Sequence, residues 1–233
     1  MAVAICVQEL MVIEDSKLEV IGRLVDASNA SLLCELSDGS QVIYKPIAGE
    51  RPLWDFPDGN LASREVAAYY LSNLGNFGVV PKTVFRDGPF GPGAVQQWIE
   101  IDENIDVMEL VKTQNSKLRA MALLDVVINN TDRKFGHILP EAGSRIYGCD
   151  HGVTFHEEDK LRTVLWQFTS QALSTVEISQ LSHLLDDIDR DYLQELLTLK
   201  EITALENRIS KLLIEAKFPT PNPNWPAVPW PPY

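Results

Sequence analysis

The chain has 233 residues, 45% of them hydrophobic, enough for one large domain or two small lobes with real cores. A formal net charge of −13, with no dense Lys/Arg cluster and no apolar run near membrane-spanning length, argues against nucleic acid as a partner and against stable membrane association. Cys6, Cys34 and Cys149 are scattered and odd in number, and the start MAVAICVQELMVIED lacks a basic residue, so reduced thiols, no signal peptide and a cytoplasmic location are expected.

Taken in chain order, residues 18–25, 31–36 and 41–45 read as strands. The segment 26–30 and the Asp-Gly turn at 37–40 separate them, which predicts an antiparallel meander. Residues 46–59, rich in Pro and Gly, form a loop. Asn60 caps a helix reaching about Leu74, with Val66, Tyr69, Tyr70 and Leu74 as its apolar stripe. "VVPKTVFRD" and "GAVQQWIEI" predict two more strands around a turn at 87–93. A short helix at 106–112 and an apolar one at 116–128 follow, then the polar burst "NNTDRKFGH", a strand at 145–150, and two or three amphipathic helices over 169–216. The proline-rich ending "FPTPNPNWPAVPWPPY" suits neither helix nor central strand. Packing of Trp225 and Trp230 on the body is favoured over a free polyproline ligand. The fold class is α+β with segregated halves. Residues 1–100 form a β-rich N-lobe with one helix, 101–216 a mainly helical C-lobe, and 217–233 a Pro/Trp-rich tail.

Four residues stand out for chemistry, each with an ordinary alternative. Lys45 ends the strand "QVIYK" on the same face as Ile43; it is either a snorkelling lysine or an ammonium placed to grip phosphate. Glu65 is a solvated helix carboxylate or the partner that fixes that amine. Asp132 belongs to a helix end capped by Asn129 and Asn130, but Arg133, Lys134 and His137 crowd it with donors and a metal-ligand type. Asp150 is a strand-end turn residue or a carboxylate suited to a hard cation that also binds phosphates. Together, the order Lys, Glu, Asp, Asp-x-Gly matches the parts needed for phosphoryl transfer: a positioned nucleotide, neutralised charge and an oriented hydroxyl. A zinc site from His137, Cys149, His151 and His156 is disfavoured, since Cys149-x-His151 is not a standard zinc spacing.

"IYKP", "ASREVAAYYL", "LDVVINNTDR" and "DHG" resemble the phosphatidylinositol 3-/4-kinase superfamily, most closely the type II phosphatidylinositol 4-kinases and the small kinase-like proteins of actinobacteria. The resemblance implies a bilobal kinase-like fold, ATP, and Mg or Mn. In its terms Lys45 contacts ATP phosphates with Glu65 as ion-pair partner, and Asp132 orients or deprotonates the acceptor hydroxyl. Arg133 and Lys134 supply basic groups, Arg133 to catalysis and Lys134 to the nucleotide. Asp150 and His137 hold the metal, His137 standing where the family has an asparagine. Gln97, Trp98 and Ile99 form an adenine hinge, and Ser28, Asn29 and Ser31 a phosphate-covering turn. Imidazole at 137 favours manganese over magnesium. The turn 26–31 contains no glycine, and the loop after Lys45 has no cysteine-rich insert, which with the charge argues against a lipid acceptor. The expected activity is an ATP-dependent phosphotransferase acting on a protein or small-molecule hydroxyl. The alternatives are a nucleotide-binding pseudokinase or a phosphatidylinositol kinase proper.

Overall fold

The computed structural model describes residues 13–24 and 29–233. Five antiparallel strands form one sheet in the order β1-β2-β3-β5-β4: β1 (Glu19–Arg23), β2 (Leu32–Glu35), β3 (Gln41–Pro46), β4 (Thr83–Gly88) and β5 (Gly91–Gln97). The strands β1–β3 form the expected antiparallel meander, with Leu32 facing Tyr44 and Glu35 facing Gln41. The β4–β5 hairpin is tighter than the expected turn at 87–93. Gly88 pairs with Gly91, leaving only Pro89 and Phe90 at the tip. The Tyr44 hydroxyl holds that tip from β3, donating to Gly91 O at 2.5 Å and accepting from the Phe90 N–H at 3.2 Å. Gly93 lets β3 and β5 close at Lys45, since a Cβ there would lie 2.4 Å from the Lys45 carbonyl oxygen.

Helix α1 (Leu61–Leu74) crosses behind this sheet, capped by the Asn60 side chain, which accepts from Ser63 N–H at 2.7 Å. Its burial differs from the expected stripe. Ala62, Val66, Ala67, Ala68 and Leu71 are the buried apolar residues, while Tyr69, Tyr70 and Leu74 are only partly covered. The helix lies between the sheet and the helical body, so most of its circumference is enclosed and a one-sided pattern is not required. The second half contains α2 (Val107–Leu110), α3 (Ser116–Val127), the hairpin β6 (Ile138–Pro140) and β7 (Ile146–Gly148), then α4 (Thr175–Asp187), α5 (Arg190–Leu196) and α6 (Leu199–Glu215). Capping boxes start α4 at Ser174/Glu177 and α6 at Thr198/Glu201. One large core unites α1 with α3–α6, and a smaller one fills the sheet around Cys34, Val42, Tyr44 and Val95. Among the described residues no helix is long and apolar enough to cross a membrane.

The proline-rich segment 217–233 runs along the body without helix or strand. Most of its ties to the body are made by its carbonyls, as suits a backbone short of N–H donors, although the Phe218 N–H also donates to Gln171 O at 2.9 Å. Ala227 O accepts from Thr163 N–H at 3.0 Å and from Trp166 Nε1 at 2.8 Å, and Pro232 O accepts from Phe135 N–H at 2.9 Å. Trp225 packs against Lys160 and Arg162 as expected. Trp230 does not pack; it is 89% exposed, and Pro229 is the buried residue beside it.

Candidate active site

The polar burst after α3 is an internal scaffold. Asn129, Asn130, Thr131 and Arg133 are all buried. Asn129 ends the helix in a left-handed conformation (φ 52°), and its amide bridges to His156 O at 2.9 Å, Glu158 O at 2.6 Å and Lys160 N–H at 3.0 Å. Asn130 donates to Asp125 Oδ1 and accepts from the Asp132 N–H, each at 2.9 Å. The polar groups are thus satisfied by one another, which is how such a run is tolerated inside the fold.

Arg133 does not enter the cleft. Its guanidinium has no exposure and forks onto the equally buried Asp125, with Nη2 at 2.9 Å from Oδ1. The remaining N–H groups reach Cys149 O at 2.9 Å, His137 O at 3.3 Å and His151 Nε2 at 2.8 Å. Arg133 therefore ties the Asp132 segment to the Asp150 segment from beneath, as a positioning residue. Gly148 makes room for it, since a Cβ there would stand 3.0 Å from Nη1. Asp125 is missing from the sequence expectations. Its signal was a single carboxylate inside the apolar run Leu123–Ile128, a place where an unpaired acid is not tolerated.

Above this scaffold lies a cleft lined by Asn29, Ser31, Lys45, Glu65, Asp132 and Asp150, with apolar walls from Leu53, Leu61 and Val153. Lys45 Nζ is 2.5 Å from Glu65 Oε1 on α1 and 2.5 Å from Asp150 Oδ1 just beyond β7. Asp150 adopts φ 56°, a left-handed conformation that Asp tolerates better than most residues. Glu65 Oε2 accepts the His151 backbone N–H at 3.1 Å, so one carboxylate grips both the lysine and the Asp150 turn. The His151 ring is buried. Its Nε2 accepts from Arg133, and Nδ1 stands 3.8 Å from Glu65. Burial and the Arg133 charge lower its pKa, keeping it neutral. Asp132 lies 3.2 Å from Lys134 Nζ. His137 places Nε2 3.4 Å from Asp150 Oδ2, and burial depresses its pKa despite that carboxylate.

Burial would raise the pKa of Glu65, but the Lys45 ammonium overrides it and holds the acid at about 2, against an ordinary 4.5. Burial likewise opposes the Lys45 charge, but Asp150 and Glu65 raise its pKa. Lys45 is the main cause holding Asp150 well below the usual carboxylate range. A depressed carboxylate stabilises the fold above its unfolded pKa and loses that contribution as acid protonates it. The stability advantage of the parent over Glu65→Gln is therefore expected to be complete above pH 4.5 and to shrink as pH falls towards 2. Thermal midpoints of the two proteins across that range check this; a gap that stays constant into acid would refute the ion pair.

The turn at Asn29–Ser31 covers the cleft without a glycine of its own. Asn29 Oδ1 accepts from Arg51 N–H at 2.9 Å, and Ala30 N–H donates to Gly49 O at 3.1 Å. The close approach is allowed by Gly49 opposite, where a Cβ would meet Ala30 Cβ at 2.4 Å. Ser28 lies outside the described residues. Gln97, Trp98 and Ile99 are not among the residues lining the cleft. The N–H of Gln97 donates to Lys82 O at 2.8 Å and that of Trp98 to Gln41 O at 3.1 Å, because the sheet pairing continues that far; Ile99 is buried. Glu50, also unforeseen, lines the cleft and accepts from the first N–H groups of α1, Leu61 at 2.9 Å and Ala62 at 2.8 Å. Among the described residues no group of three or more His, Cys, Asp or Glu converges as a metal cage. The disfavoured zinc set does not assemble; the His151 ring is spent on Arg133 and His156 Nε2 lies against Lys160 at 3.0 Å. Asp150 and His137 form an oxygen–nitrogen pair, which suits a cation that completes its shell with phosphate oxygens and water.

No family model matches the chain. Protein Rv2133c of Mycobacterium tuberculosis (strain ATCC 25618 / H37Rv) is 37% identical over an alignment 264 positions long, covering 96% of this chain and 95% of that protein. The chain belongs to the Rv2133c family. Among solved structures, this Rv2133c-family fold resembles the Golgi casein kinase, with TM-score 0.56 and 15% identity over 88% of this chain and 74% of that one. The Mn/ADP-bound form of that kinase gives TM-score 0.56 and 14% identity over 90% and 78%. The Helicobacter pylori proinflammatory kinase CtkA gives TM-score 0.52 and 12% identity over 85% and 92%. At these identities the likeness is one of fold, and the fold of this Rv2133c-family protein is bilobal and kinase-like.

Proposed function

We propose that this protein is an ATP-dependent phosphotransferase of the phosphatidylinositol 3-/4-kinase-like type, acting on a protein or small-molecule hydroxyl. The observation that carries this reading is the convergence of Lys45, Glu65 and Asp150, from β3, α1 and the turn after β7, through contacts of 2.5 Å, in the cleft that also holds Asp132. In this reading Lys45 binds the nucleotide phosphates and Lys134 adds positive charge. Asp150 and His137 hold Mg or Mn, with Mn favoured by the imidazole. The metal, when bound, neutralises charge on the phosphates. Asp132 takes the proton of the acceptor hydroxyl as that oxygen bonds to the γ-phosphorus and the β–γ bridging P–O bond breaks, releasing ADP.

The two-donor metal site and the occupied N–H groups of Gln97 and Trp98 favour one second reading, a nucleotide-binding pseudokinase. Purified protein is to be mixed with Mn–ATP or Mg–ATP, with thermal shift and nucleotide products followed together. A shift with ADP formation supports the transferase. A shift without turnover supports the pseudokinase, and release of pyrophosphate reassigns the chemistry to AMP transfer. No shift with either metal rules out nucleotide binding and both readings.

A further inference from the structure

The cations around the Asp132 loop are nearly all matched. Lys45 is paired with Glu65 and Asp150, Arg133 with Asp125, Lys134 with Asp132, and Lys160 with Asp55 and Glu158. Arg51, exposed at the cleft, and Arg162 have no carboxylate partner among the described residues, and Arg162 is the one fixed against the Asp132 loop. Its Nε donates to Thr131 O at 2.6 Å and its backbone N–H to Asn130 O at 2.9 Å, which sets its guanidinium beside the residue preceding Asp132. The indole of Trp225 supports it, 5.6 Å from centroid to Cζ. Among the described residues its terminal nitrogens have no protein acceptor and it has no carboxylate partner, although it is partly buried. A guanidinium held in place with its fork unused is built to receive a planar or tetrahedral oxyanion.

We propose that Arg162 is a specificity-determining residue that binds an oxyanion carried by the acceptor, beside the hydroxyl that Asp132 orients. The acceptor class is an alcohol bearing a nearby carboxylate or phosphate. This rests on the phosphotransferase reading above and narrows it. The cleft is acidic on balance, with Glu50, Glu65, Asp132 and Asp150 lining it against Lys45 and Arg51, and the chain carries −13. An anionic acceptor is favoured there where a cation offsets that charge, and Arg162 offers one held in place beside Thr131.

Two measurements on the full chain test this. ADP release from Mn–ATP is compared for glycerol against glycerol phosphate, and for a serine peptide with glutamine neighbours against one with glutamate neighbours. The oxyanion-bearing member of a pair is expected to be preferred, and the pair showing the larger preference identifies a small-molecule or a peptide source. Arg162→Gln is expected to raise the KM of that acceptor roughly 10- to 100-fold, with Arg162→Lys recovering part of the loss. Calorimetry of inorganic phosphate binding to the Mn–ADP-loaded protein needs no turnover and is expected to lose its signal in Arg162→Gln. If no alcohol is phosphorylated while phosphate binding still depends on Arg162, the oxyanion subsite stands and the phosphotransferase reading falls. Equal use of charged and neutral alcohols, or phosphate binding untouched by Arg162→Gln, overturns the subsite.

Discussion

Asp150→Asn is expected to lower turnover of Mn–ATP by about 10²- to 10³-fold and to remove metal-dependent nucleotide binding, while leaving the fold intact. The substitution keeps shape and changes charge. Asparagine tolerates the left-handed φ of 56° at this position nearly as well as aspartate, so no backbone strain is added. The side chain is 50% exposed, so no buried charge is stranded by its loss, and Glu65 remains to hold Lys45 at 2.5 Å. What disappears is the anionic ligand shared between Lys45 and the site proposed for the cation. Thermal shift in Mn–ATP, set beside the midpoint of the free protein, separates the two effects. A free midpoint lowered by loss of the Lys45 contact, with no further rise in Mn–ATP, is the expected pattern. A variant that still turns over Mn–ATP at the parent rate removes Asp150 from the site.

Asp125→Ala is expected to destabilise the protein by about 3–5 kcal/mol, because it leaves the Arg133 guanidinium buried without its counter-charge. For a chain of this size that corresponds to a fall in Tm of roughly 6–20 °C. Arg133→Met should cost a comparable amount, since Asp125, Cys149 O, His137 O and His151 Nε2 then lose their donor. The pair is in direct contact, so the double variant Asp125→Ala/Arg133→Met is expected to lose less than the two single losses added together. It should not regain parental stability, because Asn130, the Thr163 hydroxyl at 3.3 Å from Asp125 and the two carbonyls are still left unmatched. Urea unfolding of the four proteins measures this coupling. Additive losses, or single losses under about 1 kcal/mol, would mean the buried pair is not the fastening of the loop.

His151 extends the same connection upward. Its backbone N–H holds Glu65 and its ring takes Arg133, so the lysine–glutamate pair above and the arginine–aspartate pair below share one residue. The site is therefore held by a continuous polar column running from β3 through α1 and the Asp150 turn to α3. The Pro232 carbonyl closes the outer side of the loop at Phe135, and the Phe135 and Tyr233 rings meet at 5.6 Å.

The elements follow local rules that the residue order states directly: alternation in β1–β3, the Asp38-Gly39 turn, the Asn60 cap and the capping residues Ser174 and Thr198. Lys45, Glu65, Asp132 and Asp150 could be named from residue type and position within those elements, because each sits at an element end or on a defined face. The sequence by itself thus determined the order of elements, the segregation of sheet from helices and four side chains of the cleft. Only the tertiary structure decided that Arg133 turns inward to Asp125, that Gly49 and not a glycine in the covering turn allows its close approach, that the Gln97 and Trp98 N–H groups are consumed by sheet pairing, and that Arg162 stands unmatched beside Asp132. The physical reason is common to all four. Which partner a charge or an N–H group finds, and how close two backbones come, depends on residues tens of positions apart whose meeting is set by packing, and no local pattern records it.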